Sequence, residues 1–332
     1  MKICIVGAGS IGGYLGARLI HAGEQVTLIA RGANLAAIRE RGMTLIETDG
    51  ATITARPALA TDDPSVAGPH DVVIIAVKAH QLPAVAPLLR PLFHDTTIVV
   101  PAQNGIPWWY FQRHGGPFEG RRIESVDPDG VIAANIETER IIGCVVYPAT
   151  ELEAPGVVRH IEGDRFTLGE LDGSRSERVH LLSQTLTRAG IKAPVRSRIR
   201  TDIWIKLWGN LAFNPVSALT RATLIDICRH PQARALIVAM MAEGQAVAGR
   251  LGITFDMTID QRIAGAERVG AHKTSMLQDI EARRATEVDA LVGAVAELGR
   301  LTDVPTPHIN AIYAAVKLLE HTVMRATPLH SA

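Results

Sequence analysis

The chain has 332 residues, 47% of them hydrophobic and 20% charged, which predicts two folded domains and excludes a disordered chain. Its 34 basic and 34 acidic residues give zero formal net charge, which argues against binding to nucleic acid or a membrane surface. The three scattered cysteines and twelve histidines lack ligand spacing, so we expect no disulfide framework and no metal. No stretch approaches the roughly 18 apolar residues of a membrane span, so we expect a cytoplasmic protein.

The N-terminal half alternates apolar strands with helices. Strands are predicted at residues 2–6, 25–31, 71–77 and 96–105, and helical spacing follows the first of them. Uninterrupted apolar strands separated by helices are typical of a parallel sheet that is covered on both faces. We therefore predict a doubly wound, Rossmann-type α/β domain.

A glycine motif of the form G-x-G-x-x-G lies between the first strand and the first helix. Its residues are Gly7, Ala8, Gly9, Ser10, Ile11 and Gly12. Glycine-rich stretches often only make turns, but this position in a strand–helix–strand unit favours a dinucleotide site. The backbone can then approach the pyrophosphate, and the helix N-terminus offers N–H groups and a positive dipole end.

The end of the second strand predicts which dinucleotide is bound. An NAD site usually has an acidic residue there, which accepts hydrogen bonds from the adenosine ribose. This strand ends in Arg31 instead, and a guanidinium fits a 2′-phosphate. We expect NADP(H); the alternative is that Arg31 is a solvated surface residue.

Two polar residues follow the ends of the next strands, where ligands of open parallel sheets gather. Lys78 comes directly after Val77, and Asn104 lies in the segment Gln103–Gly105. Lys78 can equally be a solvated lysine, and Asn-Gly is a common turn pair.

A segment rich in glycine, proline and charge extends from Asn104 to Ile141. It contains the aromatic cluster Trp108–Phe111, which either caps the mouth of an active site or pins a long loop to the surface. Strand-like runs at 141–150, 157–161 and 165–170 predict extra sheet that completes the first domain.

From residue 199 the pattern changes to helical periodicity. Helices are predicted near 200–214, 232–250, 256–270, 287–300 and 305–324. We therefore predict an NADP-binding domain at 1–198 and an all-α substrate domain at 199–332, with the site in the cleft between them.

Lys206, Asn210 and Asn214 form a polar stripe on the first of these helices. Each step of four residues turns a helix by only about 40°, so the three side chains share one face. Lys206 can stabilise and protonate a carbonyl oxygen, and the amides can bind other polar groups of the substrate. Alternatively, Lys206 extends to water and the amides satisfy loose backbone groups near Pro215.

A second polar segment spans residues 274–295. Ser275 and Gln278 match a capping box, and Thr286 begins what looks like a second helix start. On one straight helix Ser275 and Glu287 would point in different directions. Both can line one pocket only if the helix breaks near residues 283–285, which we predict.

Several segments of the chain resemble ketopantoate reductases (2-dehydropantoate 2-reductases). They are KICIVGAGSIGG at 2–13, VKAHQ at 77–81, QNG at 103–105, IWIKLWGNLAFNPVSAL at 203–219 and SMLQDIEARRATEVDALVGAV at 275–295. The last two are much more specific than the glycine motif. The resemblance implies NADPH-dependent reduction of 2-dehydropantoate to pantoate, on the route to pantothenate and coenzyme A.

The same resemblance assigns roles to individual residues. Lys206 would be the proton donor. The substrate would be bound by Asn104, Asn210, Asn214 and Ser275, and Ser275 would contact the carboxylate of the substrate. The cofactor would contact the glycine motif, Arg31, Lys78, Asn104, Ala149 and, near the nicotinamide, Glu287. A homodimer is possible, because the sequence does not indicate the oligomeric state.

Three departures from the family's pattern leave the identity of the 2-oxo acid open. Residues 107–130 look like an insertion of about twenty residues, and Leu224 and His272 stand where some members have asparagine. One alternative is a dehydrogenase of the wider 2-oxo acid or 3-hydroxyacid type, since fold alone does not decide substrate. The other is an NADP(H) sensor without turnover, which an intact Lys206 and Glu287 disfavour.

Overall fold

The computed structural model describes residues 1–325, which divide into two compact units. The first unit comprises Met1–Gln103, Pro107–Arg122 and Asp129–Ile199. The second comprises Asn104–Ile106, Ile123–Pro128 and the described residues from Arg200 onward. Two short segments of the long loop therefore belong to the helical unit. Within residues 1–325, no helix is both long and apolar enough to cross a membrane.

Strands occur only in the first unit among the described residues. They are β1 (Lys2–Val6), β2 (Gln25–Ile29), β3 (Met43–Ile46), β4 (Thr52–Ala55), β5 (Leu59–Thr61), β6 (His70–Ile75), β7 (Phe93–Pro101), β8 (Gly143–Val146), β9 (Ala149–Ala154), β10 (Val157–Glu162) and β11 (Phe166–Gly169). Five of them form a parallel sheet in the order β5-β2-β1-β6-β7. Counted within that sheet, the order is 3-2-1-4-5, as in a Rossmann domain. The predicted fold class is confirmed.

A second, four-stranded sheet has the order β4-β3-β10-β9, and β8 pairs with β11. The prediction of extra sheet after residue 141 is correct, but β3, β4 and β5 were not predicted. The second sheet lies against the first helix, where Gly13 leaves room for it: a Cβ on Gly13 would lie 2.7 Å from Val158 Cγ2.

The helices of the first unit are α1 (Ser10–His21), α2 (Gly32–Arg41), α3 (Leu82–Val85), α4 (Val131–Asn135) and α5 (Glu177–Arg188). Those of the second unit are α6 (Ile199–Thr220), α7 (Leu224–Arg229), α8 (Pro231–Arg250), α9 (Ile259–Val269), α10 (Ser275–Glu281), α11 (Ala294–Leu301) and α12 (Pro307–Arg325). A π-helical turn at Asp289–Gly293 leads directly into α11. The short helix α7 was not predicted, whereas α10 begins at the helix start that was expected at Ser275.

Two predictions about helix ends have different outcomes. The break near residues 283–285 is confirmed, because α10 ends at Glu281 and the next helical turn starts at Asp289. Pro215 was expected to disturb its helix, but α6 continues through it to Thr220. The side chains around this proline are buried, so packing keeps the helix intact although one backbone donor is missing.

The aromatic cluster Trp108–Phe111 is buried in the first unit, and no member is more than 5% exposed. Gly143 provides the space for Trp109: a Cβ on Gly143 would lie 2.8 Å from a carbon at the tip of the indole. Side chains this deeply buried cannot cap an open mouth. The cluster pins its loop by packing into the interior, which supports the second of the two alternatives.

Candidate functional site

Three glycines of the motif between β1 and α1 are needed for three different reasons. Gly7 has a positive φ of +100°, and a Cβ there would lie 2.7 Å from Val77 Cγ1. A Cβ on Gly12 would lie 1.9 Å from the carbonyl oxygen of Gly7, so no other residue permits this turn. A Cβ on Gly9 would meet nothing within 4 Å. Gly9 therefore leaves its backbone accessible, as contact with a pyrophosphate requires.

The helix behind this turn supplies the donors that a phosphate needs. Gly9 is the N-cap of the twelve-residue α1 and contributes no side chain, while Ser10 and Ile11 form its half-buried first turn. The first N–H groups of any helix have no acceptor within it, and the dipole makes this end positive. The turn thus fits a dinucleotide pyrophosphate.

Arg31 lies between the carboxyl end of β2 and the start of α2. It is exposed, and its extended backbone forms the N-cap of α2 without a side-chain hydrogen bond to the helix. Its guanidinium is accessible to a 2′-phosphate at the strand end where an NAD-specific site would have an acidic residue. The position agrees with the expected NADP(H) preference.

Asn34 was not identified from the sequence, although it holds the glycine turn in place. Its Nδ2 donates to the Ala8 carbonyl oxygen at 2.7 Å, and its Oδ1 accepts from the Gly156 N–H at 2.7 Å. One amide therefore ties the glycine turn to α2 and to the β9–β10 turn. No local pattern could reveal this, because Gly156 is 122 residues away.

Replacing Asn34 by alanine should weaken binding of NADPH and NADH to the same extent. The amide supports the turn that is expected to receive the pyrophosphate common to both cofactors, and two lost hydrogen bonds correspond to about 1–3 kcal/mol, or roughly 5- to 100-fold. Titration with each cofactor, followed by protein fluorescence, measures both dissociation constants. A loss confined to NADPH would contradict this role.

Lys78 and Ala149 also lie beside strand ends of the first unit. Lys78 is half-buried and precedes a short 3₁₀ turn, and its N–H donates to Gln81 Oε1 at 3.2 Å. Ala149 is the half-buried first residue of β9. Contact between either residue and a cofactor stays a prediction.

The second unit brings together Lys206, Asn104 and Glu287. Lys206 Nζ donates to Asn104 Oδ1 at 2.5 Å, and Asn104 Nδ2 donates to Glu287 Oε2 at 3.2 Å. All three side chains are half-buried. The Asn104 amide thus orients an ammonium on one side and a carboxylate on the other, although Glu287 is 183 residues away.

The π-helical turn explains why Asn104 lies at this point. In this turn the Ala294 N–H donates to the Asp289 carbonyl, which leaves the Ala290 carbonyl without its usual α-helical donor. The Ile106 N–H takes that place at 2.9 Å. Gly105 permits the approach with φ +90°, since a Cβ on it would lie 2.5 Å from the Ala290 oxygen. Gly105 is therefore more than a turn residue.

Asn210 and Asn214 follow Lys206 along α6, and neither lies on an open surface. Asn210 is half-buried, and Asn214 is only 6% exposed. Within residues 1–325, neither side-chain amide hydrogen-bonds to another protein group. The alternative that they satisfy loose backbone groups is therefore wrong for this part of the chain, and both amides are available to a ligand.

The capping-box pattern suggested that Ser275 caps α10, but it does not. Thr274 is the N-cap, and its Oγ1 accepts from the Leu277 N–H at 3.3 Å. Ser275 is instead the exposed first residue of the helix. Its hydroxyl is accordingly not used for capping and is accessible to solvent or a ligand.

Comparison with known proteins places the chain in a family. Residues 3–173 match the profile described as "Ketopantoate reductase PanE/ApbA", and residues 198–320 match "Ketopantoate reductase PanE/ApbA C terminal". A 2-dehydropantoate 2-reductase of Mesorhizobium japonicum is 53% identical over 320 residues, which cover 96% of this chain and 98% of that protein.

Solved structures agree with this match. A protein of Ralstonia solanacearum MolK2, provisionally assigned as a ketopantoate reductase, has a TM-score of 0.92 and 45% identity, covering 97% of this chain and 98% of its own. D-mandelate dehydrogenase with NADH and anilino(oxo)acetate has a TM-score of 0.83 at 24% identity over 97% of this chain and 99% of its own, and shares the fold. The chain belongs to the ketopantoate reductase family of NADP(H)-dependent oxidoreductases.

Proposed function

We propose that this protein reduces 2-dehydropantoate to pantoate with NADPH, on the route to pantothenate and coenzyme A. The observation that carries the proposal is the hydrogen-bonded series Lys206–Asn104–Glu287 beside the two available amides of α6. A half-buried ammonium held by a neutral amide is suited to polarising a ketone and giving it a proton. Membership of the family supports the choice of substrate.

Lys206 is proposed to act on the ketone oxygen. Its ammonium stabilises the negative charge that develops there and transfers one proton to it, so that the ketone becomes a secondary alcohol. NADPH, when bound, supplies the hydride that the ketone carbon receives. Lys206 then regains its proton from solvent, and the reaction consumes one proton overall.

Asn210, Asn214 and Ser275 are proposed to hold the rest of the substrate. The two amides offer donors and acceptors for hydroxyl and carbonyl oxygens, and the accessible Ser275 hydroxyl can donate to the carboxylate. Glu287 is proposed to contact the cofactor near its nicotinamide and, through Asn104, to fix the direction in which Lys206 points.

Arg31 is proposed to bind the 2′-phosphate of NADPH. Replacing it by alanine should raise the KM for NADPH by about 10- to 100-fold, because one charge-assisted contact contributes about 1.5–3 kcal/mol. NADH lacks the phosphate, so its KM should change little. Initial rates with each cofactor measure the ratio, and an equal rise for both would refute the assignment.

The direct test is a panel of 2-oxo acids given to purified protein with NADPH. We expect 2-dehydropantoate to be reduced with the highest kcat/KM, and pantoate to form in equal amount to the NADP⁺ produced. Turnover of other 2-oxo acids without turnover of 2-dehydropantoate would overturn the assignment of substrate while leaving the chemistry intact.

A second candidate is reduction of a related, bulkier or differently branched 2-oxo acid. It is favoured by Leu224 and His272, the two positions at which some family members have asparagine, because these two residues are in direct contact. The Leu224 N–H donates to the His272 carbonyl oxygen at 3.1 Å, and both side chains are half-buried. Two departures that adjoin each other fit an altered substrate pocket better than two isolated substitutions do.

A further inference from the structure

We propose that Tyr313, Lys317 and Glu320 of α12 are positioning residues for the reaction, because they hold the chain on both sides of Glu287. None of the three lies among the residues expected to touch substrate or cofactor. The inference rests on the function proposed above and adds the contacts that keep the catalytic series in place.

The carboxylate of Asp289 is held by two residues of α12. Tyr313 Oη donates to Asp289 Oδ1 at 2.6 Å, and Lys317 Nζ donates to Asp289 Oδ2 at 3.0 Å. Burial and the bond to Asp289 raise the pKa of Tyr313, so its hydroxyl remains a donor. Asp289 begins the π-helical turn, so these bonds fix the start of that turn.

The chain on the other side of Glu287 is held by Glu320. Its Oε1 accepts from the Thr286 N–H at 2.6 Å, and Thr286 is buried. Lys317 Nζ also lies 3.8 Å from Glu320 Oε2, so the two contacts are linked. Thr286 and Asp289, on the two sides of Glu287, are therefore both hydrogen-bonded to α12.

The spacing of these three residues shows that the contact is built into one face of α12. Tyr313, Lys317 and Glu320 lie at positions i, i+4 and i+7, which point in nearly the same direction. Close packing adds to the hydrogen bonds: a Cβ on Gly293 would lie 3.0 Å from the Tyr313 ring. The whole π-helical turn is thus clamped against α12.

Holding the stretch from Thr286 through the π-helical turn matters because two contacts of this stretch lead to Lys206. Glu287 accepts from Asn104, which accepts from Lys206, and the Ala290 carbonyl fixes the Asn104 loop through Ile106. A shift of the turn would move both supports of Asn104 together. Misplacing a catalytic group by about 1 Å can lower the rate about 100-fold, so loosening the clamp should affect turnover.

The experiment compares four variants: Tyr313→Phe with Lys317→Gln as a double variant, Lys317→Gln alone, Lys317→Arg, and Lys192→Gln as the matched control. Lys192 also pairs with an aspartate, Asp164 at 2.9 Å, but lies in the first unit. We expect kcat to fall about tenfold or more in the double variant and less in Lys317→Gln. Lys317→Arg keeps a charged donor and should retain most of the wild-type kcat. The kcat of Lys192→Gln should equal that of wild type.

Two further readouts separate positioning from general loss of structure. The dissociation constant for NADPH should change much less than kcat in every variant, because the glycine turn and Arg31 are untouched and only the proposed contact of Glu287 with the cofactor is loosened. Amide hydrogen exchange in residues 284–291 should accelerate in the double variant, while exchange in α6 stays as in wild type.

An unchanged kcat in the double variant would overturn the inference, and so would equal loss in Lys317→Arg and Lys317→Gln. If wild-type protein reduces no 2-oxo acid, the proposed function fails, and the exchange measurement then decides whether the clamp exists. Unchanged exchange in residues 284–291 would show that it does not.

Discussion

Replacing Lys206 by alanine is expected to lower kcat about 10²- to 10⁴-fold, the usual effect of removing a general acid. The ammonium is the only charged donor on the polar stripe of α6, where the other members are Asn210 and Asn214. Neither amide can replace it, because an amide N–H does not release its proton at neutral pH. The dissociation constant for NADPH should change little.

Lys192→Ala is the control for this change. It removes an ion-paired lysine from the first unit and should leave kcat unaltered. Steady-state rates with a saturating 2-oxo acid, together with fluorescence titration of NADPH, measure both quantities. If Lys206→Ala keeps more than about a tenth of wild-type kcat, Lys206 is not the proton donor.

Replacing Gly105 by alanine is expected to impair both stability and turnover. The residue has φ +90°, and a Cβ would lie 2.5 Å from the Ala290 carbonyl oxygen. The loop must move, which breaks the Ile106–Ala290 hydrogen bond and displaces Asn104 from Lys206 and Glu287. We expect kcat to fall about 100-fold and Tm to fall by several degrees, since left-handed strain and one lost bond cost about 2–3 kcal/mol together.

Gly50→Ala separates the effect of φ from that of the contact. Gly50 has φ +86°, but a Cβ there would meet nothing within 4 Å. This variant should show the modest loss of Tm that left-handed strain causes and keep full kcat. Similar kcat values for Gly105→Ala and Gly50→Ala would contradict the claim that the Gly105–Ala290 contact places Asn104.

Features that depend on neighbouring residues could be predicted from the sequence. The strands of the parallel sheet, the glycine turn and the stripe of Lys206, Asn210 and Asn214 all follow from local periodicity, which the backbone geometry of strands and helices enforces. The break after α10 was predicted because Ser275 and Glu287 could not otherwise share one pocket. Their roles in binding stay predictions.

Features that depend on contacts between distant residues could not be predicted from the sequence. Asn34 joins Ala8 to Gly156, and Asn104 joins Lys206 to Glu287, with no trace in the local pattern. The π-helical turn is likewise a consequence of contacts with other segments. Thr274, not Ser275, caps α10, and the sequence could not distinguish them because both Thr and Ser are good capping residues.

The short strands of the first unit illustrate the same limit. The strands β3, β4 and β5 have three or four residues each and are partly exposed. Short strands of this kind lack the apolar runs that identified β1 and β6, and their stability comes from pairing: β3 pairs with β4 and the distant β10, and β5 pairs with β2. The burial of Trp108–Phe111 was ambiguous in the sequence for a related reason, since aromatic residues are common both in cores and at the mouths of binding sites.

The measurement that tests the account most directly is the transfer of deuterium from NADPH labelled at both C4 positions of the nicotinamide. Purified protein is incubated with this cofactor and 2-dehydropantoate, and the pantoate formed is analysed by mass spectrometry and NMR. The account predicts one deuterium per molecule, located at C2, and the same labelling in the smaller amount of pantoate that Lys206→Ala forms, because Lys206 supplies only the proton on oxygen. Unlabelled pantoate, or the absence of pantoate, would contradict it.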